Sequence, residues 1–187
     1  MILHIKNMVC DRCIIVVKQQ LESLDFYVTE ITLGKVTIVP EPDESQLFQI
    51  SSALSLVGFE LIDSEKQQIV EQIKNVIIAK VHHSGLSNDH VTFSQLLPSV
   101  LNKDYTYLSR LFSQYEGIPI EKFIIQQKVQ KVKEFLEYGE FNLNEISYKL
   151  GYSSSAHLSA QFKNVTGLTP SQYKASDKAS RKPLDKI

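Results

Sequence analysis

The 187-residue chain contains no tryptophan, only two cysteines and only seven glycines, and it is almost neutral, with a formal net charge of −1. Two cysteines exclude a disulfide scaffold, and their single C-x-x-C spacing points to a reducing compartment. No run of 18 apolar residues occurs, so no membrane-spanning helix is expected. The start, MILHIKNMVCDRC, lacks the basic region, apolar run and small-residue cleavage site of a secretory signal, so a cytoplasmic protein is the default. With 43% hydrophobic and 22% charged residues, the composition is that of a packed globular chain. Near-zero charge argues against a polyanionic partner.

That average conceals a division. Residues 1–66 hold five Lys/Arg and ten Asp/Glu, a balance of −5, and residues 67–187 hold fifteen and eleven, a balance of +4. An acidic front and a basic back imply two units with different partners. The last ten residues, KASRKPLDKI, carry four basic residues and no apolar periodicity, so residues 177–187 are expected to form a solvated basic tail.

The front unit, residues 1–63, predicts an α+β fold. Leu3 and Ile5 alternate with His4 and Lys6 as in a half-buried strand. Ile14, Val17, Leu21 and Leu24 then keep helical spacing, and FYVTEITL and KVTIV form a hairpin about Leu33-Gly34. After the break PEPD, Leu47, Ile50, Leu54 and Val57 stripe a second helix closed by Gly58, and FELID reads as a last strand. The order β-α-β-β-α-β is that of the split βαβ, or ferredoxin-like, sandwich. The segment Ile62-Asp63-Ser64-Glu65 runs into the next helix with no flexible linker.

Residues 67–176 read as all helix, with seven helices. Ile69, Ile73, Val76, Ile77 and Val81 stripe the first, and the polar loop SGLSND follows. Beyond it lies an internal repeat at an offset of 50 residues. Leu96, Val100, Leu108, Ser109, Phe112, Gly117, Ile118 and Phe123 match Ile146, Leu150, Leu158, Ser159, Phe162, Gly167, Leu168 and Tyr173. Each copy opens with a capping box, Thr92-x-x-Gln95 or Asn142-x-x-Glu145, and reads as a helix-turn-helix. Residues 119–138 form the helix joining the copies, with Phe123, Val129, Val132 and Leu136 as core and Lys128, Lys131 and Lys133 among the polar positions.

These residues carry a resemblance. GYSSSAHLSAQFKNVTGLTPSQYK, ending in G-x-T-P-x-x-Y, closely resembles the second helix-turn-helix of AraC/XylS-type transcription regulators, and YTYLSRLFSQYEGIPIEKFIIQQKVQKVKEFL resembles their first motif and linker helix. The front unit resembles the heavy-metal-associated domain, with its M-x-C-x-x-C at Met8, Cys10 and Cys13 just after the first strand. Asn7 stands where such domains often carry Gly.

On chemistry alone, two thiolates at this spacing on a loop entering a helix can aim both sulfurs at one soft ion. The helix N-terminus and Arg12 favour the thiolate form. Two sulfurs suit near-linear Cu(I), the most favoured ion; Zn(II) or another thiophilic ion stays open, although structural zinc wants four ligands. The resemblance implies that Met8 packs beneath the loop and that Phe59 lies beside the site. A partner-binding or dimerisation module that senses nothing, a redox C-x-x-C and a metallochaperone without DNA function are the alternatives.

In a helix-turn-helix the second helix enters the major groove of double-stranded DNA. With Leu108, Leu111 and Phe112 facing the core, Thr106, Ser109, Arg110 and Ser113 face outward, and the resemblance places Thr106, Ser109 and Arg110 at base-reading positions. In the second copy Ser155, Ala156, His157, Ser159 and Ala160 occupy the equivalent places, Ala160 standing where the first copy has Arg110. Lys163, Lys149 and Lys103 are phosphate candidates. His82-His83 and His90 read as helix-ending cations rather than a second metal site. No G-x-S-x-G, H-E-x-x-H, P-loop or G-x-G-x-x-G occurs, so no enzyme is expected. The expectation is a sequence-specific DNA-binding regulator, modulated by a soft metal at Cys10/Cys13. Whether it works as a homodimer stays open, since the Ile69–Val81 stripe would serve either a dimer seam or internal packing.

Overall fold

The computed structural model describes residues 1–83 and 91–176. The loop SGLSND, His90 and the basic tail lie outside them.

Four strands, β1 (Ile2–Lys6), β2 (Tyr27–Thr32), β3 (Lys35–Val39) and β4 (Glu60–Leu61), form one antiparallel sheet in the order β2-β3-β1-β4. Two helices, α1 (Asp11–Glu22) and α2 (Glu44–Leu56), connect them. The period-2 pattern places Leu3, Ile5, Val28, Val36 and Ile38 on one face, where Val17 and Leu21 of α1 and Ile50 and Leu54 of α2 complete the core. Gly34 takes a left-handed φ of +81° at the hairpin turn. Asp43 caps α2 through a full capping box with Gln46, at 2.8 and 3.0 Å. Val57, expected on the buried stripe, lies past the end of α2 and is exposed, because the helix stops at Leu56 and Gly58 turns the chain toward β4.

The second layer is helical: α3 (Glu65–Ile78, extended by a wider π turn over Ala79–His83), α4 (Phe93–Leu101), α5 (Tyr105–Glu116), α6 (Ile120–Tyr138), α7 (Leu143–Lys149), α8 (Ser155–Thr166) and α9 (Pro170–Ala175). Ile69, Ile73, Ile77 and Val81 of α3 are buried in this core, with Val76 partly so, which makes the stripe an internal packing face.

The 50-residue repeat is physical. Phe112 stacks at an angle on Phe123 with centroids 5.4 Å apart, and their counterparts Phe162 and Tyr173 pair at 5.5 Å. Gly117 and Gly167 end α5 and α8 in the same left-handed conformation, φ +68° and +80°, each donating to the helix carbonyl four residues back. Both predicted capping boxes form. The copies part at their first helices. In α7, Ile146 and Leu150 are buried as expected, whereas in α4 Leu97 is fully buried, Leu96 only partly and Val100 is half exposed. The α4 helix runs on to Leu101 and turns at left-handed Asn102, so its inner stripe is Phe93, Leu97 and Leu101. The lysines of α6 are not merely a solvated face, since Lys133 is buried with its ammonium 5.5 Å from the Tyr173 ring.

Candidate functional site

Two places carry chemistry. The first is the loop between β1 and α1. Asn7 has φ +73°, a conformation that Gly adopts freely and Asn tolerates, and its Nδ2 donates to Gly58 O at 3.0 Å. Met8 is fully buried in the front core and Phe59 nearly so. Cys10 is the N-cap of α1 and Cys13 stands in its first turn; both are free thiols, partly buried, with sulfurs 3.5 Å apart. Burial pushes the Cys10 thiol pKa up, but the Cys13 backbone and thiol and the nearby Arg12 outweigh it and hold it below the ordinary value. Cys13 goes the other way, raised by burial and by its Cys10 neighbour against backbone hydrogen bonds from Val9 and Cys10. Cys10 is thus the readier thiolate of the two. Among the described residues no group of three or more His, Cys, Asp or Glu is gathered to hold a metal ion.

The second place is the outer face of α5 and α8. Asp104 caps α5, accepting from Thr106 N at 2.8 Å and Tyr107 N at 3.2 Å, and Ser154 caps α8, accepting from His157 N at 3.1 Å. With Leu108, Leu111 and Phe112 buried, Thr106 and Arg110 are exposed and Ser109 and Ser113 half-buried. On α8, Ala156, His157, Ala160 and Lys163 are exposed, and Ser155 and Ser159 half-buried. Ser113 and Ser159 donate their hydroxyls to Ser109 O and Ser155 O at 2.9 and 2.8 Å, so both offer only oxygen lone pairs outward. Lys103 and Lys149 rest their ammonium groups 5.9 and 4.2 Å from the Tyr107 and Phe141 rings.

Several residues here escape sequence reasoning. Tyr152 packs edge-on against His157, with Lys128 5.0 Å from its ring, and Ser153 Oγ lies 3.1 Å from His157 Nδ1. Burial raises the Tyr152 hydroxyl to about 12 and lowers the Lys128 ammonium. The histidine pair is corrected: His82 is no helix-ending cation. It is half-buried, donating to Gln127 Oε1 of α6 at 3.0 Å, and desolvation lowers its pKa to about 4, leaving it neutral.

Residues 99–176 match a family model described as "Helix-turn-helix domain". The chain is 27% identical over 133 residues to the Msm operon regulatory protein of Streptococcus mutans, covering 69% of this chain and 45% of that one. It is 24% identical over 160 residues to the regulatory protein PocR of Salmonella typhimurium, covering 76% and 52%. It therefore spans about half the length of the curated relatives it matches. The C-terminal domain of AraT, a response regulator from Geobacillus stearothermophilus, superposes with a TM-score of 0.51 at 27% identity, over 63% of this chain and 92% of that domain. The helical layer thus contains a match to a helix-turn-helix domain over residues 99–176, and the relatives named here are regulatory proteins. Among the described residues, no helix is long and apolar enough to cross a membrane.

Proposed function

We propose that this protein is a sequence-specific transcription regulator that lays α5 and α8 in successive major grooves of double-stranded DNA. The observation that carries the reading is the structural repeat itself: two helix-turn-helix units at a fixed offset, with matched aromatic pairs and C-caps, each turning a short polar face outward. Arg110 forks onto a guanine edge; Thr106, Ser109 and Ser113 complete the first reader; Ser155, Ala156, His157 and Ser159 make the second, less discriminating one, and Lys163 takes a phosphate. Selection of sites from random DNA tests this. Wild type should enrich one motif, and Arg110→Ala should lose preference at one base pair at a cost of ~1–3 kcal/mol. A mutant motif identical to that of wild type removes Arg110 from the base-reading set.

For the front unit, the strand order and the two helices support a split βαβ sandwich of the heavy-metal-associated type. Cys10 and Cys13 would hold a thiophilic ion, Cu(I) first, with Met8 and Phe59 packing the loop from beneath. Such an ion supplies charge and a fixed S–S geometry, and through them a bias on DNA affinity. A Cu(I) titration against a chromophoric chelator should show tight binding by wild type that Cys10→Ser/Cys13→Ser loses; equal binding by both sinks the metal reading. The second reading, a partner or dimerisation module, is favoured by exposed Phe48, Leu56 and Tyr27 on this unit. Sedimentation of the full chain would reveal a dimer. No catalytic step enters either reading.

A further inference from the structure

The loop that carries the thiols belongs to two cores at once. Met8 is fully buried in the front core, while its neighbour Val9 packs against the helical core. The carbonyl of Val9, one peptide bond from Cys10, accepts a hydrogen bond from His83 Nε2 at 3.0 Å. His83 closes the π turn that ends α3, and His82 beside it is bonded inward to Gln127 of α6, whose neighbour Lys131 donates to His82 O at 3.5 Å. Helix α6 packs against both α5 and α8. A second strap joins the units elsewhere: Asn75 Nδ2 of α3 donates to Leu33 O at the hairpin turn, at 3.3 Å.

Resting on the reading of α5 and α8 as DNA-binding helices, we infer that His83 is a positioning residue through which the Cys10–Cys13 loop and the linker helix α6 bias one another. The path has four steps: the Val9–Cys10 peptide, the Val9–His83 hydrogen bond, the His83–His82 peptide and the His82–Gln127 hydrogen bond. Coupling of this kind is reciprocal, so DNA held by α5 and α8 must alter the behaviour of the thiols even with no metal present. Its physical form is a two-state strap. With His83 on the Val9 carbonyl the loop is held down and the partly buried sulfurs are shielded; with the strap released the loop lifts.

The test uses the full chain and its selected DNA site. Iodoacetamide labelling of the two cysteines, followed by mass spectrometry, is timed with and without DNA. Bound DNA should slow labelling of wild type about fivefold. His83→Ala should still bind DNA, label at one rate in both conditions and keep its circular dichroism. His83→Gln, which places a donor at similar reach, should restore most of the effect. Asn75→Ala, which cuts the other strap, should leave the DNA effect intact. An effect below twofold in wild type, an equal effect in His83→Ala, or its loss in Asn75→Ala overturns the inference. Absence of any DNA complex sinks the underlying functional reading and this inference together, and a gel shift alone distinguishes that case.

Discussion

At the scale of single residues, the structure assigns unlike roles to adjacent, chemically identical side chains. His82 and His83 differ only in where the π turn points them. His83 stays exposed on the Val9 carbonyl, and His82 is half-buried against Gln127. Because burial holds the His82 pKa near 4, below its unfolded value near 6.5, the unfolded chain takes up a proton first as pH falls. Stability is therefore complete above about pH 6.5 and drains away as pH falls toward 4, by up to about 3 kcal/mol. The melting temperature of wild type should drop over that window more steeply than that of His82→Gln, which cannot titrate. Parallel curves for the two proteins would show that His82 does not contribute. Gly34 is constrained by its backbone: a Cβ there would lie 2.6 Å from Asn75 Nδ2 at a φ of +81°. Gly34→Ala should lower the unfolding free energy read from urea denaturation by the ~1 kcal/mol that left-handed strain costs.

At the scale of elements, capping decides where the short helices begin. The box at Asn142 is tight in both directions, with Asn142 N donating to Glu145 Oε2 at 2.7 Å and Asn142 Oδ1 accepting from Asn144 N and Glu145 N at 3.0 and 3.1 Å. The return arm at Thr92, to Gln95 Oε1, is longer at 3.4 Å. Asn142→Ala should thus cost about 1 kcal/mol in urea denaturation, and Thr92→Ala less; the reverse order would mean that the boxes do not set helix stability. These boxes were legible in the sequence because capping and C-terminal glycine are local signals. So were α5 and α8, whose buried Leu108, Phe112, Leu158 and Phe162 recur at the repeat offset. The inner stripe of α4 was not, since Leu96 and Leu97 are equally apolar and only the packing of a helix that runs on to Leu101 chooses between them. The polar side of α3 was also illegible. Gln68, Asn75 and His83 look like a solvated face, yet they donate to Ile62 O, Leu33 O and Val9 O, and a backbone carbonyl leaves no mark in a sequence.

At the scale of the whole molecule, the net charge of −1 averages an acidic sheet unit against a weakly basic helical one. If the helical unit reads DNA as proposed, so little positive field leaves its affinity to a few placed cations and to base contacts. Lys163 stands exposed on α8, while the Lys103 and Lys149 ammonium groups lie 5.9 and 4.2 Å from the Tyr107 and Phe141 rings. Few phosphate contacts make a shallow salt dependence, so each lost contact is a large share of it. Lys163→Gln should weaken binding to specific and random DNA alike and reduce the slope of log K against log salt by about 0.9. Arg110→Ala should instead weaken binding to the selected site far more than to random DNA. If Lys163→Gln leaves the slope unchanged, Lys163 does not neutralise a phosphate and the α8 face is seated on DNA by other contacts.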